Sequence, residues 1–246
     1  MELKRLSLSG SALKMIALVI MFVDHIGAVI VQRTMTMEGF NHDFWSSLYM
    51  PIRYVGRLAF PIFCFTIVEG FQKTSNLKAY LRRLILFAFI SEIPFDLAFR
   101  GRIISTDFQN VFWTLAFGLG AMMLYENFWM PKWKRFLGLF ACFYLPMIFH
   151  TDYSVYGVAT IFAMYYFRKE PFKACMAGYI FLLLQNPIEV WAVFGFLLIL
   201  LYNGQRGQSR KWFSYWYYPG HILFLALAKP YVVEFLLNFI SNDIFV

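Results

Sequence analysis

The sequence predicts an all-α, polytopic integral membrane protein with about nine to ten transmembrane helices and a cytoplasmic N-terminus. Three observations carry that prediction. The 246 residues are 60% hydrophobic and only 15% charged, with a mean hydropathy of +0.58, against about 45–50% apolar and about 25% charged in an average soluble domain. Apolar runs recur along the whole chain, and the length accommodates roughly 8–10 spans of about 20 residues joined by short loops. Basic residues fill every second gap between those runs. The same composition excludes disorder, and 15 Gly, 9 Pro and 3 Cys exclude collagen-like, low-complexity and disulfide-framework classes.

The elements follow in chain order. Span 1 covers about 12–32 and span 2 about 50–70, the latter preceded by a mixed aromatic stretch at 40–54 suited to the interface. Span 3 covers about 80–99 and span 4 about 108–129. Spans 5 and 6, at about 136–149 and 153–167, are short and expected to tilt or to be partly shielded from lipid. Spans 7 and 8 fall at about 172–185 and 187–203. Span 9 runs from 212 to 228. Residues 231–246 either complete it or return as a tenth helix after Lys229-Pro230, because proline ends or kinks helices. No cleavable signal peptide, internal repeat or linker is visible, so residues 1–246 read as a single transmembrane helical domain.

Loop charge sets the orientation. Lys4, Arg5, Lys14, Lys73, Lys78, Arg82, Arg83, Lys132, Lys134, Arg135, Arg168, Lys169, Lys173, Arg206, Arg210 and Lys211 occupy alternate gaps and make up 16 of the 22 Lys and Arg. The positive-inside rule puts these gaps in the cytoplasm and gaps 33–50, 100–107, 150–153 and 185–187 outside. The net charge of +8 is thus an orientation signal, and no nucleic-acid partner is expected. Cys64, Cys142 and Cys175 sit in apolar runs at spacings unlike a metal or disulfide frame.

Ionisable residues inside spans are costly and mark function or a buried partner. Asp24-His25 lies in span 1, Asp24 roughly 15 Å beyond Lys14 along the helix. The pair fits a catalytic base or a polar contact gluing helices. Arg53 and Arg57 share one helical face, suited to phosphate, carboxylate or oxyanion, or to interfacial anchoring. Gly56 between them permits close helix approach. Glu69 reads as an ion-pair partner of the basic loop. Glu92, Asp96 and Arg100 form a stripe on span 3, and the carboxylates are expected to counter Arg57. Asn110, Thr114, Asp152, Tyr153, Tyr156 and His221 complete a polar set drawn from several spans. His25 and His221 stand alone on separate helices, so no metal is expected.

Taken together these blocks resemble the TraX family of bacterial membrane proteins. The resemblance rests on Lys14 to Ala17 leading to Met21-Phe22-Val23-Asp24-His25-Ile26-Gly27, Arg53 with Gly56-Arg57-Leu58-Ala59-Phe60-Pro61, Val68-Glu69-Gly70-Phe71, Tyr80-Leu81-Arg82-Arg83-Leu84, Ser91-Glu92-Ile93-Pro94-Phe95-Asp96, Asn110-Val111-Phe112 with Thr114, Asp152-Tyr153 with Tyr156-Gly157, and Tyr218-Pro219 with His221. It spans residues 12–222. The family is named for a conjugation protein that acetylates a pilin N-terminus and is grouped with transmembrane acyltransferases. The resemblance therefore implies an acetyl-CoA-dependent acetyltransferase of the bacterial cytoplasmic membrane. It assigns catalysis to His25, and more weakly to His221.

On that reading Asp24 orients or charges His25, which acts as general base. Arg57, Asn110 and His221 are candidate oxyanion donors. Lys73, Lys78, Arg82 and Arg83 are placed to meet the phosphates of the acyl-CoA partner, or simply set orientation. The acceptor is an amine or hydroxyl on a peptide or envelope glycan, presented from the membrane lipids or from outside. One difficulty stands: the polar set lies on the outer half while CoA is cytoplasmic. Two alternatives are a proton-coupled transporter relaying through Asp24, His25, Glu92 and Asp96, and a non-catalytic assembly partner of an envelope or pilus system.

Overall fold

A computed structural model describes residues 7–37, 41–208 and 211–243. Lys4, Arg5, Arg210, the first residue of the aromatic stretch (Phe40) and the last three residues of the chain lie outside them. Every regular element among the described residues is helical: α1 (Gly10–Ile26), a π-helical turn (Gly27–Val31), α2 (Gln32–Met35), α3 (His42–Gly56), α4 (Ala59–Lys73), α5 (Leu77–Arg100), α6 (Val111–Tyr125), α7 (Lys132–Ile148), α8 (Ser154–Tyr166), α9 (Pro171–Gln185), a 3-10 turn (Pro187–Ala192), α10 (Val193–Leu200) and α11 (Lys211–Asp243).

Local chemistry sets the ends. Ser9, Asn41, Asn76 and Asn110 cap α1, α3, α5 and α6, each side-chain oxygen accepting a first-turn backbone N–H. Gly101, at φ 68°, closes α5 in the left-handed conformation that glycine adopts without strain. Pro171 opens α9, where a missing N–H costs nothing.

Among the described residues, three helices are long and apolar enough to cross a membrane: Gly10–Met35, His42–Lys73 and Trp212–Asn238. The other apolar helices are shorter, several of them below the roughly 17 residues of an ordinary span. The two-way expectation for the C-terminal segment resolves as one helix: α11 continues through Pro230 to Asp243. Proline removes one ladder bond at about 3 kcal/mol, and packing of α11 along α5 opposes that cost, with Lys229 Nζ donating to the Ala98 carbonyl at 2.9 Å.

The core runs along a line of packed helices, with α1 on α4, α4 on α8, and α6 bridging α8 and α5. Helix α11 closes against α5 and the π-helical turn, while α7 and α9 lie outside α8. Leu13, Ile62, Leu119, Ile161 and Ile222 are fully buried there. The outer faces stay apolar: α7 exposes Phe136, Leu137, Phe140 and Met147, and Trp129 is 98% exposed. A surface this apolar suits lipid better than water.

Among the described residues, three of the basic gaps meet. Leu8 N–H donates to the Leu201 carbonyl and Ser11 N–H to that of Arg206, while Lys73 Nζ donates to the Gly204 carbonyl. The loop before α6 meets the loop before α8, where Gln109 bridges to Thr151.

Gly195 on α10 supplies a packing test. A Cβ there would stand 2.5 Å from the Leu58 carbonyl oxygen, whereas one on exposed Gly220 meets nothing within 4 Å. Gly195→Ala is expected to destabilise by about 1–3 kcal/mol and Gly220→Ala to be neutral or slightly stabilising. Thermal melts in detergent compare them, and equal melting temperatures would refute the close approach.

Candidate functional site

Helices α1 and α11 bring His25 and His221 together, 196 residues apart in sequence, with Nδ1 of His25 2.7 Å from Nε2 of His221. The rings are nearly parallel, at 6°. His221 Nδ1 lies 2.6 Å from the Tyr217 carbonyl oxygen. A carbonyl only accepts, so His221 Nδ1 carries a hydrogen and, in the neutral ring, Nε2 is an acceptor. His25 Nδ1–H must then donate to it. The lone pair of neutral His25 therefore resides on Nε2, the state a general base or nucleophile needs. Phe22, Phe99, Tyr217 and Tyr218 ring the pair. The π-helical turn begins two residues after His25, and such turns recur at functional sites.

Asp24 does not serve His25. Its carboxylate takes Arg53 at 2.7 Å and Arg57 at 3.3 Å. Neighbouring residues on a helix point about 100° apart, so α1 aims Asp24 at α3 and His25 at α11. Nor do Glu92 and Asp96 counter Arg57. The partners of Arg57 are Asp24 and Glu189, the latter at 3.1 Å, and its Nε–H donates to the Arg53 carbonyl. Sequence reasoning missed Glu189, which is 1% exposed on the 3-10 turn. Its signal was present, since Glu189 is the sole charged residue between Lys173 and Arg206. Gly56 completes this network, because a Cβ there would stand 1.8 Å from Asp24 Oδ1.

Other members of the polar set hold the frame. Glu92 Oε1 accepts from Asn110 Nδ2 at 2.6 Å and from the Trp113 indole at 2.7 Å. Asp96 accepts the Ser105 N–H. Asn110 is fully buried and caps α6, with Nδ2 also donating to the Ala88 carbonyl. The Thr114 hydroxyl donates to the Asp152 carbonyl and lies 2.9 Å from the Thr151 hydroxyl. Tyr153 stacks on Phe60 and holds φ at 62°. For a bulky residue that is a strained backbone, kept only where surrounding contacts over-determine it. Tyr156 lines an apolar crevice between α7, α8 and α9, away from the charged network. Of the expected oxyanion donors, Arg57, Asn110 and His221 are all committed to protein partners.

A cavity of about 250 Å³ opens at the basic end. Lys14, Lys73, Arg83 and Arg206 stand on its wall with Glu69 and Tyr202. Glu69 pairs with Lys73 at 2.5 Å and accepts from the Tyr202 hydroxyl. Further lining comes from Leu18, Ile67, Leu115, Met21 and Tyr218. Met21 is one turn before His25, and the Tyr218 ring lies 6.0 Å from that of His25. The hollow thus runs from the cationic rim to Met21 and Tyr218, which border the histidine pair. Among the described residues no group of three His, Cys, Asp or Glu gathers as a metal cage would require.

A family model described as TraX protein matches residues 9–229. The chain belongs to the TraX family. This TraX-family chain is 30% identical to the probable fimbrial assembly protein FimC, serogroup H1, of Dichelobacter nodosus, over 93% of its own length and 99% of the relative's. No solved structure matches it.

Removing one partner from a buried ion pair costs about 3–5 kcal/mol, because the other charge is left uncompensated. Asp24→Asn is therefore expected to lower the melting temperature sharply. Gly56→Ala should reproduce much of that loss with every charge intact, by displacing the carboxylate. Wild-type stability in Gly56→Ala would refute the contact.

Proposed function

We propose that this protein is a multi-pass acetyltransferase of the bacterial cytoplasmic membrane. It moves an acetyl group from cytoplasmic acetyl-CoA to an amine or hydroxyl acceptor presented at or across the membrane. The observation that carries this reading is the cavity that runs from a cationic rim to Met21 and Tyr218, beside the His25–His221 pair.

Lys14, Arg83 and Arg206 supply charge-assisted bonds for the donor's phosphates, while Lys73, bonded to Glu69, Tyr202 and the Gly204 carbonyl, adds its charge to the rim. The apolar wall of Leu18, Ile67 and Leu115 suits the arm that carries the thioester, and Met21 and Tyr218 deliver it beside His25. This removes the separation between a cytoplasmic donor and a base at mid-depth. His25 Nε2 takes the proton of the acceptor as its nitrogen or oxygen attacks the thioester carbon. The carbon–sulfur bond then breaks, and the proton passes to the departing thiolate to give free CoA. His221 receives the His25 Nδ1–H bond throughout and holds the tautomer. Asp24, Arg53, Arg57 and Glu189 fix α1 against α3.

The name of the D. nodosus relative supports a fimbrial or pilin-type peptide as acceptor. It equally fits a non-catalytic assembly role, and one variant separates the two. Purified protein with acetyl-CoA and a synthetic peptide bearing a free N-terminal amine should release CoA thiol. His25→Ala should abolish release while keeping the fold. Fimbrial assembly that survives His25→Ala, with no thiol release by the wild type, would favour the non-catalytic role.

The rim gives a second test. Losing a hydrogen bond to a charged group costs about 1.5–3 kcal/mol, so Arg83→Ala is expected to raise KM for acetyl-CoA about tenfold or more with kcat little changed. Added salt should raise the wild-type KM as well. A KM indifferent to both would place the phosphates elsewhere.

A further inference from the structure

Acyl transfer through a tetrahedral intermediate needs a hydrogen-bond donor where the carbonyl oxygen gains charge; the donors of Asn110 and His221 are taken by protein partners, and Arg57 is held between Asp24 and Glu189. We propose that Tyr218 is a catalytic residue whose hydroxyl donates to that oxygen. This rests on the acetyl-CoA reading above and adds a group to the same site.

Tyr218 lines the cavity. Its ring lies 6.0 Å from that of His25 and 5.8 Å from that of His221. It is 4% exposed and packed edge-on against Phe112 at 5.2 Å, so its orientation is fixed before any ligand arrives. Its phenol has an O–H to donate, and it stands with Val111, the first residue of α6, in the cavity wall where the thioester would lie.

The step balances without a further reactant. The acceptor lone pair forms the new bond to the carbonyl carbon, and the carbon–oxygen π electrons move onto oxygen, held by the Tyr218 O–H. Collapse restores the carbonyl and expels the thiolate, which takes the proton held on His25 Nε2. The phenol keeps its own proton throughout.

Tyr218→Phe deletes the oxygen and leaves the ring. With acetyl-CoA and a peptide bearing a free N-terminal amine, kcat for CoA release is expected to fall about 10²-fold, as when one oxyanion donor is removed. KM for acetyl-CoA and its thermal stabilisation of the protein should stay within about twofold of wild type. An unchanged kcat, or a raised KM with kcat intact, would overturn the proposal and leave Tyr218 as cavity wall. If Tyr218→Phe does not fold, fluorotyrosine at 218 keeps the shape with a more acidic phenol, and a kcat identical to wild type would overturn the proposal equally. Wild-type protein neither stabilised by acetyl-CoA nor releasing CoA overturns the acetyltransferase reading itself, and this role with it.

Discussion

The buried charges of Asp24, Arg53, Arg57 and Glu189 constrain everything around them. An unpaired guanidinium in an apolar bundle costs several kcal/mol, so each must find a carboxylate. Here Arg53 on α3 and Arg57 just past its end meet one carboxylate from α1 and one from the 3-10 turn before α10. Those pairings lock three chain segments together and fix the rotation of α1 about its axis. Once Asp24 faces α3, the 100° step of the helix turns His25 elsewhere, and α11 supplies its partner. The neighbouring pair thus divides its work, one residue holding the frame and the other offering its lone pair. Gly56 is the steric condition, since any side chain there would occupy the carboxylate's place.

Much of this was legible in the sequence. The helices fall where the apolar runs do, Asp24-His25 stands out because charge inside a span is expensive, and three of the basic gaps meet one another. What was not legible depends on pairing across long separations. Arg57 and Glu189 are 132 residues apart, and nothing local distinguishes Glu189 from Glu92 or Asp96 as the counter-charge. Asn110 looked like a free amide because capping depends on where α6 begins, and helix boundaries are the least determined feature of a pattern. The passage of α11 through Pro230 depends on a neighbour, α5, whose contacts no local rule supplies.

The depth of the site follows from the same geometry. Lys14 and His25 are eleven positions apart along α1, about 16 Å of helix, so a cation at the rim lies beyond contact with the histidine. The cavity covers the part of that distance from the rim to Met21 and Tyr218. Its rim is held by bonded loops, with Lys73 reaching both Tyr202 and the Gly204 carbonyl. The α1 N-terminus is tied to the same loop through Gly10 and Ser11. Closing the mouth this way ties the position of the cations to the position of the base, because both lie on α1 or on what α1 is bonded to.

The partner of His25 bears on the acceptor. A carboxylate beside an imidazole stabilises the imidazolium and strengthens the base, but it would bring one more charge into the apolar wall formed by Phe22, Phe99 and Tyr218. A second histidine, anchored to the Tyr217 carbonyl, fixes the tautomer without adding charge. The consequence is a weaker base. For a hydroxyl acceptor, which holds its proton far more tightly, that weakness would be felt in full. A peptide α-amine, with a pKa of about 7.7–8.0, is partly deprotonated already near neutral pH and needs the base only as its proton becomes acidic on attack. On the acetyltransferase reading proposed above, a neutral histidine pair in place of a histidine–carboxylate pair therefore supports an amine over a hydroxyl as the acceptor.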